Sequence, residues 1–341
     1  MYGLYQIVYF TIIDILKTLY SPFFLLITII LYFQYNRTVQ FPIKATITSI
    51  VYGVLGGIIA TVSFIYLEVQ VIPKDFIYIF IVAILLSLID LRFICFAYGG
   101  SIVVFSNLIF GYPQIDSYEI MVVVAVLHMI ESLLILLNGG SQKMISYFYI
   151  KEDMVGGFVF NRFWPIPFVI FIGDTMIRPI TLIAILSYGD FTISNYPKRK
   201  TIETSIILLL YSSFLLIITF INKNKFIPPL FALLGHEAIM LLNKYREINK
   251  YPLYSDPLRG VRVLDIYSGT IASKLGIKRG DIILSINGVT VNSEKDIKDI
   301  IYTNPQKLTI KYFNITKGIV KKTYKGQKKT LGIVTFPKVL D

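Results

Sequence analysis

The sequence is poor in the residues that build disulfides, metal sites and soluble surfaces. In 341 residues it has one cysteine and two histidines. The single cysteine, Cys95, cannot form an intramolecular disulfide, which excludes a disulfide-stapled domain. Charged residues make up only 16% of the chain, against 55% hydrophobic residues. A soluble domain does not bury that much apolar surface, so the composition favours a membrane protein.

Basic charge is concentrated at one end of the chain. Residues 243–341 carry 19 Lys and Arg against 8 Asp and Glu, whereas residues 1–242 carry 14 against 13. The imbalance predicts a nearly neutral membrane domain over residues 1–242, a linker over 243–254 and a basic, polar domain over 255–341. The N-terminal stretch MYGLYQIVYFTIID has no basic region and no small-residue cleavage site, so we expect no cleavable signal peptide.

Apolar runs recur through the first 242 residues. Most are close to the ~20 residues that a spanning helix needs, and they predict an α-helical polytopic domain of seven or eight transmembrane helices. The final run is either a last span or an interfacial helix. The runs cover residues 2–16, 21–35, 45–67, 76–91, 93–111, 118–138, 165–187, 203–221 and 227–242.

The basic loops predict the orientation of the chain. Most of them share a side with the C-terminal domain, which predicts a multi-pass cell-membrane protein with a cytoplasmic C-terminus. The run Lys198-Arg199-Lys200 falls on the opposite side in that arrangement. A basic cytoplasmic domain is also attracted to an anionic lipid surface, which we count among the expected partners. We expect no nucleic-acid partner.

The pattern changes after Tyr251. Short β-rich runs separated by Gly, Asn and Pro alternate with two helical stretches, which predicts a small α+β domain, a partly open β-barrel with two helices. The β-rich runs are 261–266, 281–288, 307–314 and 331–336, and the helical stretches are 270–277 and 293–301.

This C-terminal region resembles bacterial PDZ domains of the kind found in periplasmic serine proteases and site-2 proteases. The matching segments are Arg259-Gly260-Val261, Ser268-Gly269-Thr270-Ile271-Ala272, Leu275-Gly276-Ile277, Gly280-Asp281-Ile282-Ile283 and Ile286-Asn287-Gly288. Gly276 fits the end of a short helix, and Asn287-Gly288 fits a tight hairpin turn that needs positive φ.

The resemblance implies a peptide groove between strand 261–266 and helix 293–302. A protein C-terminus or an edge strand would add to the open edge of that strand, and N–H groups near Gly260 would receive a terminal carboxylate. The residues implied for this groove are Arg259, Gly260, Val261, Arg262, Val263, Ile297 and Ile301. The isoleucines are also explained as core residues, because amphipathic spacing mostly reports burial.

His236-Glu237 has the form in which zinc-protease signatures begin. The signature needs a second histidine four residues later, and that position is Met240. Site-2 proteases also use an Asp-Gly motif, which the chain lacks. We therefore predict a non-enzymatic protein with no cofactor and no metal site. The alternative is an unusual intramembrane protease.

Two further polar pairs lie within apolar runs. His128 and Glu131 are three residues apart, and we interpret them as partners in interhelical hydrogen bonding. A four-ligand site formed by His128, Glu131, His236 and Glu237 is the alternative. Asp174 and Arg178 are spaced i, i+4 on a predicted helix and are interpreted as a structural ion pair. A PDZ-regulated transporter or sensor is the remaining possibility for them.

The order of the domains resembles the MinJ-like division-site proteins of Gram-positive bacteria. The stretches that carry this resemblance are TLYSPFFLLITIILYFQYNR, near the start, and PLFALLGHEAIMLLNKYRE, before the PDZ-like region. The resemblance implies a membrane-anchored scaffold that recruits other membrane or divisome proteins through its PDZ groove, in the placement of the division site.

Overall fold

The protein divides into two compact units. The structure, a computed structural model, describes residues 4–70, 72–150, 153–172, 178–303, 306–326 and 330–336. The first unit comprises Met1–Lys143, Phe160–Asp190 and Lys198–Lys244, and the second comprises Met144–Val159, Phe191–Pro197 and Tyr245–Asp341. Two segments from within residues 1–242 thus belong to the second unit, which differs from the boundary expected from composition.

The first unit is mainly helical. Its helices are α1 (Leu4–Leu19), α2 (Pro22–Thr38), α3 (Pro42–Tyr66), α4 (Pro73–Ser87), a 3-10 turn (Leu91–Ile94), α5 (Phe96–Phe110), α6 (Ser117–Leu134) with a π-helical end (Ile135–Gly139), α7 (Pro197–Ile221) and most of α8 (Ile227–Asn249). Several begin with a proline at the first helical position, where the missing N–H has no intrahelical acceptor.

The predicted count of seven or eight transmembrane helices is wrong. Among the described residues, three helices are long and apolar enough to cross a membrane: α3, α6 with its π-helical end, and α7. A fourth is possible where α1 and α2, bent by 59° at their junction, cross as one span. The runs at 76–91 and 93–111 form helices of 15 residues each, shorter than a spanning helix needs.

The run at 165–187 is predicted as a transmembrane helix, but its described parts, residues 165–172 and 178–187, form strands instead. The first three strands are β1 (Met144–Ile150), β2 (Asp153–Ile172) and β3 (Arg178–Thr192), in a sheet of order β1-β2-β3. Pro165 and Pro167 explain the difference, because proline removes a helical hydrogen bond and biases the residue before it to extended backbone. Apolar content alone therefore does not distinguish a strand from a helix in this run.

Strand β2 is packed tightly against α3. A Cβ on Gly53 would lie 2.0 Å from the Pro165 carbonyl oxygen, and one on Gly57 would lie 1.9 Å from that of Pro167. One turn further along α3, the Thr61 hydroxyl accepts a hydrogen bond from the Val169 N–H at 2.9 Å. Strand β2 can approach the backbone of α3 this closely because α3 has glycine at the contact positions. The helix also supplies a hydrogen-bond acceptor for one backbone N–H of the strand.

The second unit contains a twisted antiparallel sheet with two short helices. Its elements are β4 (Val261–Ile266), α9 (Ile271–Lys274), β5 (Ile282–Ile286), β6 (Val289–Thr290), α10 (Glu294–Tyr302), β7 (Lys307–Asn314), β8 (Gly318–Lys325) and β9 (Ile333–Phe336). The strand order is β8-β7-β5-β4-β9, with β6 paired to β5. The predicted α+β domain is present. Its core includes Val261, Val263, Ile283, Val291, Ile297, Ile301 and Leu308.

The β1–β2 hairpin belongs to this second unit. The Gly156 N–H donates to the Tyr254 carbonyl at 2.9 Å, and a Cβ on Gly156 would lie 2.8 Å from Leu264 Cδ2. The Tyr147 ring lies 5.6 Å from that of Phe336. Residues 144–159, read as part of the membrane domain in the sequence, therefore cover part of the sheet that contains β4 and β9.

Candidate functional site

Strand β9 is the edge strand on which a peptide groove can be built. It pairs antiparallel with β4, with Ile266 opposite Ile333 and Arg262 opposite Phe336. Since β4 also pairs with β5, both of its sides are occupied. The expectation that strand 261–266 offers an open edge is therefore wrong. Among the described strands the sheet ends at β9.

Helix α10 lies beside this edge strand. The Thr335 hydroxyl of β9 donates to Glu294 Oε2 at 3.0 Å. Glu294 is in the first turn of α10, and Lys298 pairs with it at 2.9 Å across one turn. Positions 294, 298 and 301 are spaced i, i+4 and i+7, so they share one helix face. That face and β9 define a groove that we call the β9–α10 groove.

The N-terminus of α10 is fixed by a capping box. The Ser293 hydroxyl accepts from the Asp296 N–H at 3.1 Å, and the Asp296 carboxylate accepts from the N–H groups of Ser293 and Asn292. These hydrogen bonds lower the pKa of Asp296 from its ordinary value. The capping box fixes where α10 starts, and so fixes the position of Glu294 beside β9.

A left-handed glycine precedes β9. Gly332 has φ +76°, a conformation that favours glycine. The carbonyls of Leu331 and Gly332 accept from the N–H groups of Ala272 and Tyr267, both at 3.0 Å. These two hydrogen bonds fix the turn at 331–333 to the segment that contains Tyr267 and Ala272. The turn lies at the start of the edge strand, at the end of the groove that a peptide terminus would reach.

The residues predicted around Gly260 have structural partners. The Gly260 N–H donates to Asn292 Oδ1 at 3.1 Å, and its φ is +86°. The Arg262 guanidinium donates to the carbonyls of Ser255 and Gly280 at 2.7 and 3.0 Å, and burial lowers its pKa. Arg259 is exposed, while Val261 and Val263 lie in the core. The group thus lies on β4 or just before it, and the polar contacts given for Gly260 and Arg262 are within the domain and not in the β9–α10 groove.

The two isoleucines of α10 are core residues. Ile297 and Ile301 are each 4% exposed and belong to the apolar cluster beneath the sheet. Ile301 also lies on the helix face that carries Glu294. Its assignment to the groove stays a prediction, and the core role proposed for both residues accounts for their burial.

A buried carboxylate stabilises the turn before β5. Asp281 accepts from the Lys278 N–H at 2.8 Å and from Asn314 Nδ2 at 2.7 Å. Burial raises the pKa of Asp281 above its ordinary value, against the opposing effect of these hydrogen bonds.

Comparison with known families identifies this part of the chain. Residues 262–312 match the PDZ domain family. The match covers β4 to most of β7, so the second unit contains a PDZ domain. No curated protein matches the chain.

The polar residues predicted in apolar runs are only partly brought together. His128 and His236 face each other with ring centroids 5.4 Å apart. Glu237 instead pairs with Arg92 at 3.0 Å and accepts from the Tyr98 hydroxyl at 2.5 Å. Arg178 begins strand β3 and does not lie on a helix. The predicted ion pair of Asp174 and Arg178 stays a prediction, because Asp174 lies outside the described residues.

Two features of the site were missed in the sequence. The sequence predicts a strand at 331–336. Its position at the edge of the sheet depends on pairing with β4, which sequence spacing does not specify. The sequence excludes an internal disulfide for Cys95 but gives no partner for it, whereas in the structure its sulfur contacts both histidine rings. These contacts join residues 33 and 141 positions apart, and the one available signal was that all three lie in apolar segments.

Proposed function

We propose that the protein is a non-enzymatic, membrane-anchored adaptor that captures the C-terminus or an extended strand of a partner protein in the β9–α10 groove. The observation that supports this is the position of β9 at the end of the sheet order, beside α10. PDZ domains bind peptides by strand addition to such an edge, where main-chain hydrogen bonds supply affinity and side-chain pockets supply specificity.

The anchoring part of the proposal rests on the apolar helices. Three or four candidate spans precede the PDZ domain, and a membrane location would bring captured partners to the membrane. The turn at Gly332 is the proposed receiver of a terminal carboxylate, because backbone N–H groups beside a left-handed residue can form an anion-binding concavity. This replaces the assignment to Gly260, whose N–H is already bonded to Asn292.

Specificity would come from the exposed rim of α10. Lys298 lies on the same helix face as Glu294, so a positive and a negative group border the groove. Partners with a charged side chain a few residues from their C-terminus would interact with one of these groups. Binding of anionic lipid by the basic C-terminal region stays a prediction.

The test is selection of ligands from peptides with random, free C-termini, using the full-length protein in detergent micelles. Selected peptides should bind less tightly by about tenfold when amidated, because hydrogen bonds to a charged group contribute about 1.5–3 kcal/mol. Lys298→Glu should change affinity or the selected sequences. Lys295→Glu, an exposed charge reversal on the same helix, is the matched control.

Equal effects of the two charge reversals, or equal binding of amidated and free peptides, would remove the support for this groove. Division-site placement is the finer part of the proposal and rests on the MinJ-like resemblance. A fluorescent fusion should focus at septa or poles in dividing cells, and less so when the chain is truncated after Lys250. Uniform membrane labelling by both forms would contradict it.

The non-enzymatic part of the proposal draws on the environment of His236-Glu237. A metalloprotease uses the glutamate as a general base, whereas Glu237 is bound here by the Arg92 guanidinium and the Tyr98 hydroxyl. The position of the missing second histidine remains Met240. Cleavage of membrane peptides by the purified chain, lost in Glu237→Gln, would favour the protease alternative.

A further inference from the structure

The only cysteine and both histidines of the chain meet at one point in the first unit. Cys95 caps the N-terminus of α5, His128 lies in α6 and His236 lies in α8. Cys95 Sγ is 3.1 Å from His128 Nε2 and 3.5 Å from His236 Nε2. All three ligand atoms lie within 4.8 Å of one another. Three separate segments thus bring the single cysteine and both histidines to one place.

The outer nitrogen of each ring has its own partner, which sets the tautomers. His128 Nδ1 lies 2.7 Å from the Val124 carbonyl oxygen, which only accepts, so Nδ1 carries the proton. His236 Nδ1 lies 3.3 Å from the Tyr98 hydroxyl. That hydroxyl donates its own proton to Glu237, so it accepts from His236. Both Nε2 atoms therefore present lone pairs toward Cys95.

Two lone pairs face a single S–H group. A neutral thiol donates to one Nε2 and leaves the other without a donor from this cluster. A metal ion satisfies all three atoms at once, because thiolate and neutral imidazole are ligands that Zn²⁺ prefers. Bond lengths of about 2.3 Å to sulfur and about 2.0–2.1 Å to nitrogen place tetrahedral S and N ligands about 3.5 Å apart. The two observed distances are close to that separation.

Glu131 supplies the remaining charge. It follows His128 by three residues on α6, on the same helix face, and lies close enough to Cys95 for electrostatic interaction. Its carboxylate makes no hydrogen bond or ion pair with any residue that the structure describes. A divalent cation bound by one thiolate and two neutral imidazoles keeps one positive charge, which an ionised Glu131 nearby would offset. Neutrality matters here because an uncompensated charge among apolar helices is costly.

We infer that Cys95 Sγ, His128 Nε2 and His236 Nε2 form a zinc site, with the Glu131 carboxylate as a nearby counter-charge outside this three-ligand set. Binding releases the thiol proton to solvent. Val124 orients the His128 ring, and the Tyr98–Glu237 pair orients the His236 ring. Hydrogen-bond partners of the second ring nitrogen orient metal-ligating histidines in the same way in known metal sites. The ion would fasten α8, the helix that continues toward the PDZ domain, to α5 and α6.

The first test is the metal content of the untagged, full-length protein after purification in detergent without chelator. Elemental analysis should find about one zinc ion per chain, as a single site requires. Cys95→Ala and His236→Ala should lose it. Ser101→Ala, a buried substitution in the same helix as the Cys95 cap, should keep it. Zinc retained by Cys95→Ala would overturn the assignment.

A second test begins with the wild-type chain, so its main result does not depend on the folding of a variant. Co²⁺ added to the wild-type chain should give a thiolate-to-metal charge-transfer band, which can arise only at Cys95 because the chain has no other cysteine. Tyr98→Phe should weaken the binding by about 10–100-fold, the usual effect of losing an outer partner. A wild-type chain with neither bound zinc nor a cobalt–thiolate band would refute the site.

Discussion

At the scale of single residues, Asn138 is the acceptor for two buried donors of the first unit. Its Oδ1 accepts from Arg162 Nη2 at 2.6 Å and from Trp164 Nε1 at 3.1 Å. Arg162 and Trp164 are fully buried, so Asn138→Leu would leave both donors without this acceptor. Each unsatisfied buried donor costs about 1–3 kcal/mol, so the thermal unfolding midpoint in detergent should fall clearly. The exposed Asn222→Leu is the control, and an equal midpoint for both would contradict the argument.

Asp296 gives a prediction about pH at the same scale. Because its hydrogen bonds depress its pKa in the folded state, its contribution to stability is present above its unfolded value, ordinarily about 3.9, and is lost as the pH falls through the folded pKa. Hydrogen exchange of α10 should therefore be faster in Asp296→Asn than in wild type near pH 6, and the difference should shrink below about pH 4. The exposed Asp299→Asn should show no such convergence. A difference independent of pH would contradict the capping role.

At the scale of elements, the β1–β2 hairpin depends on one close approach. Gly156→Val would bring Cβ to 2.8 Å from Leu264 and 3.3 Å from Phe336, so the hairpin should loosen from the sheet. Hydrogen exchange of β4 and β9 should rise. Gly189→Val is the matched control, since a Cβ on this strand glycine meets nothing within 4 Å. Similar exchange in both variants would mean that the hairpin contributes little to the PDZ sheet.

Elements differ in how well local sequence predicts them. The capping box at Ser293, the Asn287-Gly288 turn and the helices of the PDZ domain depend on neighbouring residues and were predictable. The run at 165–187 has the apolar content of a transmembrane helix, and Pro165 and Pro167 are local signals against one. The pairing of β9 with β4 and the meeting of Cys95 with the histidines depend on contacts between distant segments, and no local rule specifies those.

At the scale of the whole molecule, one contact within the second unit leads to a prediction about the side of the membrane on which the PDZ domain lies. The Glu247 carboxylate, near the end of α8, accepts hydrogen bonds from the N–H groups of Ile193 and Ser194 at 3.0 Å. Those residues precede α7. The residues before α7 and after α8 therefore lie on the same side. If α7 crosses the membrane, α8 must cross back, although it is not among the candidate spans selected by length and apolarity.

This return also removes the conflict in the basic residues. Lys198, Arg199 and Lys200 now share a side with the basic residues 244, 246 and 250, against Lys223 and Lys225 at the turn. The excess predicts that the shared side is cytoplasmic. Alkaline phosphatase fused after Lys250 should be inactive and a fluorescent protein at that site should fluoresce. Phosphatase fused after Asn222 should be active. If fusions at both sites report the same side, α8 does not cross, and the PDZ domain cannot be placed by this contact.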